Sequence, residues 1–475
     1  MPDRLKYIFK YIFTRQNLIV ISACLAFLIY KLSNLAWRFG DGNAYLYMVD
    51  QFLHGHWPYR DFFLADPPFF VLFLSLVRTI FGTHWLWYQT IPVILQIINA
   101  VLLWRLLKPT NHLAFLAPVL YLFSFTVLAT SDFSTGVQLV VLFALLGDFL
   151  YQARHPFWSG VFWSLAALTK LYALPALLGW LLYLILAKKF SWHFIWGLAA
   201  SGTIVMLPFL LMSPRGLIDS IILHQLHRTS GLNSWAVWRF FLSHEWAFWL
   251  AGLAGVFYKS GREYFWPLAF SVIFFLFFRD LYYLYLSFLF PYLVLLSVGF
   301  AARAVQSPEV RPLALVALLA LVVNLLFGFY QYQTTVLLSG RFLNVQEIGS
   351  FLQAQTAHSQ IYGSHELAPA VALLSGKKLF GNYIDTNAQV FSAGTLDLET
   401  VSRQAATEGI YLLARISDYP EYGINQTGFE GYFSRAVFVE FCQPLKLFPS
   451  TSNETDNYIG IYDCRPRLLP ETSAD

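Results

Sequence analysis

The chain has 475 residues, of which 57% are hydrophobic and only 12% charged, and its mean hydropathy is +0.54. That balance excludes a soluble globular protein and indicates a polytopic membrane protein. The formal charge of +4 comes from Lys and Arg that recur between apolar runs instead of forming one patch, so it gives no sign of a nucleic-acid partner, none is expected, and the basic residues are topology signals.

Arg4, Lys6, Lys10 and Arg15 precede an apolar run at 17–37, about the ~20 residues that a spanning helix needs. The run is too long for a signal-peptide core and lacks a small-residue cleavage site, so an uncleaved first helix starts in the cytoplasm. Residues 38–83 then form an outer first loop, in which the run at 68–82 is short for a span, carries Arg78 and predicts a helix lying at the interface. Basic clusters set the alternation of the spans that follow, at 85–107, 113–130, 133–151, 157–187, 192–212, 246–258, 264–278, 281–302 and 312–332. The stretch 157–187 has basic residues at both ends and Pro175 inside, so it splits into two short helices that turn near the outer side. The expected total is about eleven spans, with Trp and Tyr at many run ends as interface anchors.

Between spans, 213–240 places apolar residues at helical spacing and predicts an amphipathic helix on the outer surface. His224 and His227 stand i, i+3 on it, as metal ligands, as contacts to an acceptor or headgroup, or as solvated residues. From about 334 the apolar runs shrink to strand length, which predicts an outer soluble α/β domain over 334–475 after a membrane module over 1–333. Strands are expected at 360–363, 411–416, 436–441 and 458–462, and helices at 344–356 and 367–375. Asn425 and Asn453 are sequons. Cys442 and Cys464 lie near the ends of two strand-like segments, either as a disulfide in an oxidising compartment or as two separate thiols, and Cys24 sits in the first span.

The first loop is where chemistry concentrates. Asp41, Asp50, Asp61 and Asp66 alternate with His54, His56, Tyr45, Tyr59 and Arg60, and Pro58, Pro67 and Pro68 stiffen the path. Acids, a base and a cation pressed against the membrane lie within reach of a lipid headgroup, with His54 and Tyr59 as acceptor or headgroup contacts. Lys170 in the apolar stretch is notable because a charge at membrane depth costs roughly 2.5 to 3.5 kcal/mol on insertion scales. Its ordinary alternative is snorkelling to the outer interface.

The succession of an apolar helix, D-G-N-A-Y-L-Y-M from Asp41, L-H-G-H-W-P-Y-R-D-F-F, D-P-P-F-F and I-F-G resembles the first outer loop of GT-C membrane glycosyltransferases. The similarity is to the protein O-mannosyltransferase, aminoarabinose transferase and lipopolysaccharide-core transferase branch. It extends to S-D at 131–132, L-T-K at 168–170, the aromatic run from Arg279 and the outer C-terminal region. The resemblance implies a GT-C fold and inverting transfer of a sugar from a polyprenyl-phosphate donor to an acceptor hydroxyl on a glycan, lipid or protein at the outer face. Asp41 matches the general base. Relatives often have Asp-Glu where this chain has Asp41-Gly42, which leaves a divalent metal open and makes Asp132 or Asp61 the substitute second carboxylate.

A phosphate leaving group needs charge stabilisation more than a proton, so Lys170, Arg279, Arg60 and Arg228 are the donor-phosphate candidates. A secondary transporter is the alternative from another class, and an oligosaccharide polymerase or ligase a nearer one. Against the transporter stand the lack of matching halves and the collection of ionisable residues in outer loops. The absence of a retention signal points to a multi-pass protein of a prokaryotic plasma membrane.

Overall fold

The structure, a computed structural model, describes residues 14–82, 84–109, 111–229, 231–257, 261–337, 341–419, 424–426, 429–449 and 457–466. Arg4, Lys6, Lys10 and Asn453 lie outside the described residues. Uncharged apolar runs become helices because lipid offers the backbone no other hydrogen-bond partner. Among the described residues, five helices are long and apolar enough to cross a membrane: Arg15–Leu32, Trp85–Leu107, Trp192–Met212, Tyr283–Gln306 and Arg311–Val336. A sixth is counted if Ser234–His244 and Trp246–Phe257, bent by 83°, form one broken span.

That number is below the expected eleven because several apolar runs are short or interrupted. Phe69–Phe81, Val137–Gln152 and Ala173–Leu186 are shorter apolar helices. The run at 113–130 breaks at Ser124 into Leu116–Leu122 and Phe125–Thr130. The stretch at 157–187 does divide in two, as Pro156–Thr169 and Ala173–Leu186, with the break at Lys170. The first loop is not all loop, since it contains the helix Gly42–Leu53.

Two features fix the helices around the break. A Cβ on Gly160 would lie 2.0 Å from the Phe194 carbonyl oxygen, and one on Gly197 would lie 2.0 Å from that of Phe157. Pro156–Thr169 and Trp192–Met212 therefore cross with their backbones in contact, as small residues permit. Farther along, Lys31 and Arg38 converge on buried Asp132, with Nζ at 2.5 Å and Nη2 at 2.7 Å from its two oxygens. Lys31 also donates to the Leu128 carbonyl and the Tyr332 hydroxyl, which ties the first and last helices to the loop after Thr130.

Among the described residues, the strands all follow in the C-terminal region. β1 (Gln360–Gly363) runs parallel to β2 (Lys378–Leu379) and to β3 (Ile410–Tyr419). β3 pairs antiparallel with β4 (Ile424–Gln426) and β6 (Asn457–Cys464), and β5 (Cys442–Pro449) lies outside β6. Cys442 and Cys464 face each other in that last pair and are disulfide-bonded, while Cys24 is free. The expected strand at 436–441 is a helix, Arg435–Phe441, that buries Val437 and lays Phe438 and Phe441 on the core between helix and sheet. The short apolar run read there as a strand also fits a short helix, with Phe438 and Phe441 three residues apart on one face.

The sheet rests on the first loop. The Asn43 amide donates to the Glu366 carbonyl at 2.6 Å and the Arg38 carbonyl at 2.9 Å, and the Leu379 N–H donates to the Tyr47 hydroxyl at 3.1 Å. Gly160→Ala should lower the unfolding temperature of the protein in nanodiscs, a destabilisation of about 1–3 kcal/mol from overpacking. Gly202→Ala, whose added Cβ meets nothing nearer than 3.6 Å, should not. Equal melting of the two variants would remove the backbone-contact account.

Candidate active site

Asp41 precedes the helix Gly42–Leu53, and Tyr45 and Met48 follow on the same face at helical spacing. All three line a polar cavity of about 60 Å³ together with Asp66, Lys170, Gln225, Arg228, Tyr285, His365 and Asp385. These come from separate elements. Asp66 stands ahead of the rigid Pro67-Pro68, and Lys170 has extended backbone at the helix break. Gln225 belongs to the run Pro214–Ile218, the π-turn Asp219–Leu223 and His224–His227, and Arg228 caps its end. His365 follows β1, and a Thr386 hydroxyl bond to the Gly363 carbonyl, 2.7 Å, holds Asp385 against the same strand end.

The charges are paired across the cavity. Lys170 Nζ lies 2.5 Å from Asp66 Oδ2 and donates to the Tyr45 hydroxyl at 2.7 Å. Tyr45 in turn donates to Asp66, and the buried Tyr59 hydroxyl donates to the Asp66 carbonyl at 2.6 Å. Arg228 Nη2 lies 2.6 Å from Asp280, whose side chain is fully buried. Gly231 makes room for it, because a Cβ there would fall 1.5 Å from Asp280 Oδ1.

Opposite the cations, His365 Nε2 lies 3.1 Å from Asp41 Oδ1. The Asp41 side chain lines the chamber and is 47% accessible. Enclosure favours its neutral form, but the His365 hydrogen bond and the positive charges of Lys170 and Arg228 prevail and hold it below the usual carboxylate range. Burial likewise opposes the His365 imidazolium, and the bond to Asp41 outweighs it, lifting His365 from 6.5 to about 9. Asp385 is pushed up by burial and by the Asp41 charge against the pull of His365.

The polar chamber opens into an apolar groove of about 640 Å³, which shares Asp66, Lys170, Gln225, Arg228 and Tyr285 with it. Leu174, Leu178, Ile222, Leu226 and Phe277 extend the groove along the helices.

The residues expected from sequence distribute unevenly over this geometry. Asp41, Lys170 and Arg228 meet in the chamber, and Arg279 rims the groove. Asp132 does not join them, being held in the Lys31–Arg38 cluster, and it supplies no second carboxylate to the chamber. Asp61 and Arg60 pair with each other at 2.7 Å on the surface, and Asp61 accepts the Trp57 N–H. Tyr59 supports Asp66 from beneath. His54 lies on the other side of the first-loop helix with Asp50. His224 is buried on Phe63 and on the Thr395 hydroxyl at 3.2 Å, and His227 is exposed. Among the described residues no group of three His, Cys, Asp or Glu side chains is placed to hold a metal ion.

His365, Asp385, Gln225 and Tyr285 were not read as site residues from sequence. The only local signal was the S-H-E at 364–366 directly after a predicted strand, where open α/β sheets commonly carry their sites.

No family model matches the chain, and no curated protein does. Solved structures do. ArnT from Cupriavidus metallidurans, bound to undecaprenyl phosphate, superposes with a TM-score of 0.55 over 94% of this chain and 97% of that one, at 14% identity. The apo structure of the same protein gives the same values. The chain has the ArnT fold. With its apolar helices, that likeness supports a membrane location.

The Asp41–His365 pair makes stability depend on pH. A folded-state value above 6.5 for His365 means its contribution is full below 6.5 and is lost as pH rises through about 9. The lowered value of Asp41 means its contribution is present above 3.8 and lost as pH falls. Thermal unfolding followed from pH 6 to about 10 should show a decline that His365→Asn lacks; the same decline in that variant would assign it to other groups.

Proposed function

We propose that the protein is a membrane glycosyltransferase that moves a sugar from a polyprenyl-phosphate donor to an acceptor hydroxyl, with inversion at the anomeric carbon. The observation that carries this reading is the junction of a cation-bearing polar chamber with an apolar groove at Lys170 and Arg228. A donor of this class is itself a charged head on a long apolar tail, and ArnT, whose fold the chain shares, is bound to undecaprenyl phosphate.

In the proposed reaction the polyprenyl tail lies in the groove and Lys170 and Arg228 face its phosphate, with Arg279 at the groove rim. Asp41 Oδ accepts the proton of the acceptor hydroxyl as that oxygen bonds to the anomeric carbon. The bond from that carbon to the phosphate oxygen breaks, and the two cations hold the departing charge. Before donor arrives, Lys170 is neutralised by Asp66 and Arg228 by Asp280, so neither buried cation stands alone. A bound phosphate would offset the positive field that depresses Asp41 and so raise its basicity when a base is needed. His365 orients the carboxylate, and Asp66 and Tyr45 set the Lys170 ammonium.

The same reading divides the chain into a membrane module over 1–333 and an extracytoplasmic domain over 334–475, in a plasma membrane. The Cys442–Cys464 disulfide supports an oxidising compartment for the C-terminal part. Sugar and acceptor are set by cavity shape, and a glycan, a lipid or a protein hydroxyl all suit the chemistry.

Asp41→Asn should lower the transfer rate by about 10²–10⁴-fold while leaving donor affinity near wild type. Turnover of a polyprenyl-phosphate sugar in nanodiscs checks this, and undiminished turnover would remove Asp41 as the base. Lys170→Met should weaken donor binding by about 10–150-fold, the effect of losing a hydrogen bond to a charged group worth about 1.5–3 kcal/mol. Unchanged donor affinity in that variant would remove Lys170 from the phosphate site.

A further inference from the structure

The first-loop helix separates the catalytic chamber from a second cavity. Asp41, Tyr45 and Met48 face the chamber, whereas Tyr47, Asp50, Gln51 and His54 face a cleft of about 630 Å³. Its far wall is the edge of the sheet, with Gln360 of β1, Lys378 and Leu379 of β2, and Lys377, Gly381 and Asn382 beside them. The volume lies in the range of small-ligand sites, about 300–1,000 Å³.

The charge of this cleft is one-sided. Its single acid, Asp50, is already joined to Arg78 and lies 3.5 Å from His54. The Lys377 ammonium donates to the Gln355 carbonyl at 2.8 Å and the His358 carbonyl at 2.6 Å, contacts that hold it without cancelling its charge. Lys378, His54 and His56 are exposed around the rim. The cleft thus offers positive charge with no free carboxylate to answer it.

Its neutral lining is of the kind that meets hydroxyl groups. Gln51, Gln360 and Asn382 supply side-chain amides, and Tyr47 supplies a ring wall. An acyl channel is lacking, in contrast with the groove at Lys170, because Ala372, Leu373 and Leu379 are the only aliphatic side chains lining the cleft.

We propose that this cleft binds an anionic saccharide, one bearing carboxylate or phosphate groups, as the non-reacting part of the acceptor. Its role as acceptor rests on the transferase reading above; its binding of saccharide does not. The side chains touch sugar hydroxyls and acid groups, and the helix that forms one wall carries Asp41 at its start.

The experiment uses the full chain in nanodiscs of zwitterionic lipid, titrated calorimetrically with tetragalacturonate and, in parallel, with maltotetraose. Tetragalacturonate should bind with an affinity that falls with salt, maltotetraose at least tenfold more weakly, and Lys378→Glu should weaken the uronate at least tenfold. Lys378 is exposed, and an unchanged unfolding temperature would show that the variant is folded. No uronate binding, equal binding of the neutral sugar, or indifference to Lys378→Glu would overturn the proposal. Displacement of the uronate by glycerol phosphate at equal concentration would also overturn it in favour of a lipid headgroup. Uronate binding retained in Asp41→Asn and Lys170→Met keeps this result separate from any failure of the transfer chemistry.

Discussion

The contact on which the site depends is the ion pair between Lys170 and Asp66. A lysine in an apolar hairpin is costly, roughly 2.5 to 3.5 kcal/mol at membrane depth, unless a partner is supplied. Here the partner comes from the first loop, with the Tyr45 hydroxyl bonded to both ends of the pair. Removing either partner of such a buried pair leaves an uncompensated charge, typically at a cost of about 3–5 kcal/mol. The pair therefore does two things at once: it holds the helix break open at Lys170 and draws the segment before Pro67 down onto it. Tyr45 is one helical turn from Asp41, so the same contact aims the first-loop helix and its leading carboxylate into the chamber.

A second constraint comes from the C-terminal region. His365 and Asp385 are delivered by the end of β1, and hydrogen bonds from Asn43 and to Tyr47 seat that sheet on the first-loop helix. The chamber is consequently built from both parts of the chain, cations largely from the helical part and the Asp41 partner from the sheet. Asp280 plays the matching part for Arg228, in a space that Gly231 leaves open. Every charge in the chamber has a neighbour of opposite sign, which is how so many ionisable groups coexist in so small a volume.

The helical part was largely legible in the sequence. Long apolar runs, charged at most in the last turn, gave Trp85–Leu107 and Trp192–Met212 to the residue, and the division of 157–187 was expected from Pro175 and the basic ends. Total span number was less legible, because single residues such as Ser124 and Lys170 break runs whose composition alone looks continuous. The site was half legible. Asp41, Lys170 and Arg228 stood out as polar groups beside apolar runs, but Asp132 stood out equally and serves instead as the anchor of Lys31 and Arg38. His365 meets Asp41 across 324 residues of sequence, and no local pattern encodes a contact of that length. In the C-terminal region, the short apolar run at 436–441 satisfied strand and helix alike, and packing of Phe438 and Phe441 on the core goes with the helix.

The most direct test is a cryo-electron microscopy structure of the full chain in nanodiscs with undecaprenyl phosphate, the lipid present in the ArnT structure. The account predicts the phosphate between Lys170 and Arg228, with the isoprenoid chain along Leu174, Leu178 and Phe277. Lipid density confined to other surfaces, such as the shallow apolar groove beside Leu18, Ala26 and Phe123, with the chamber closed to it, would contradict the account.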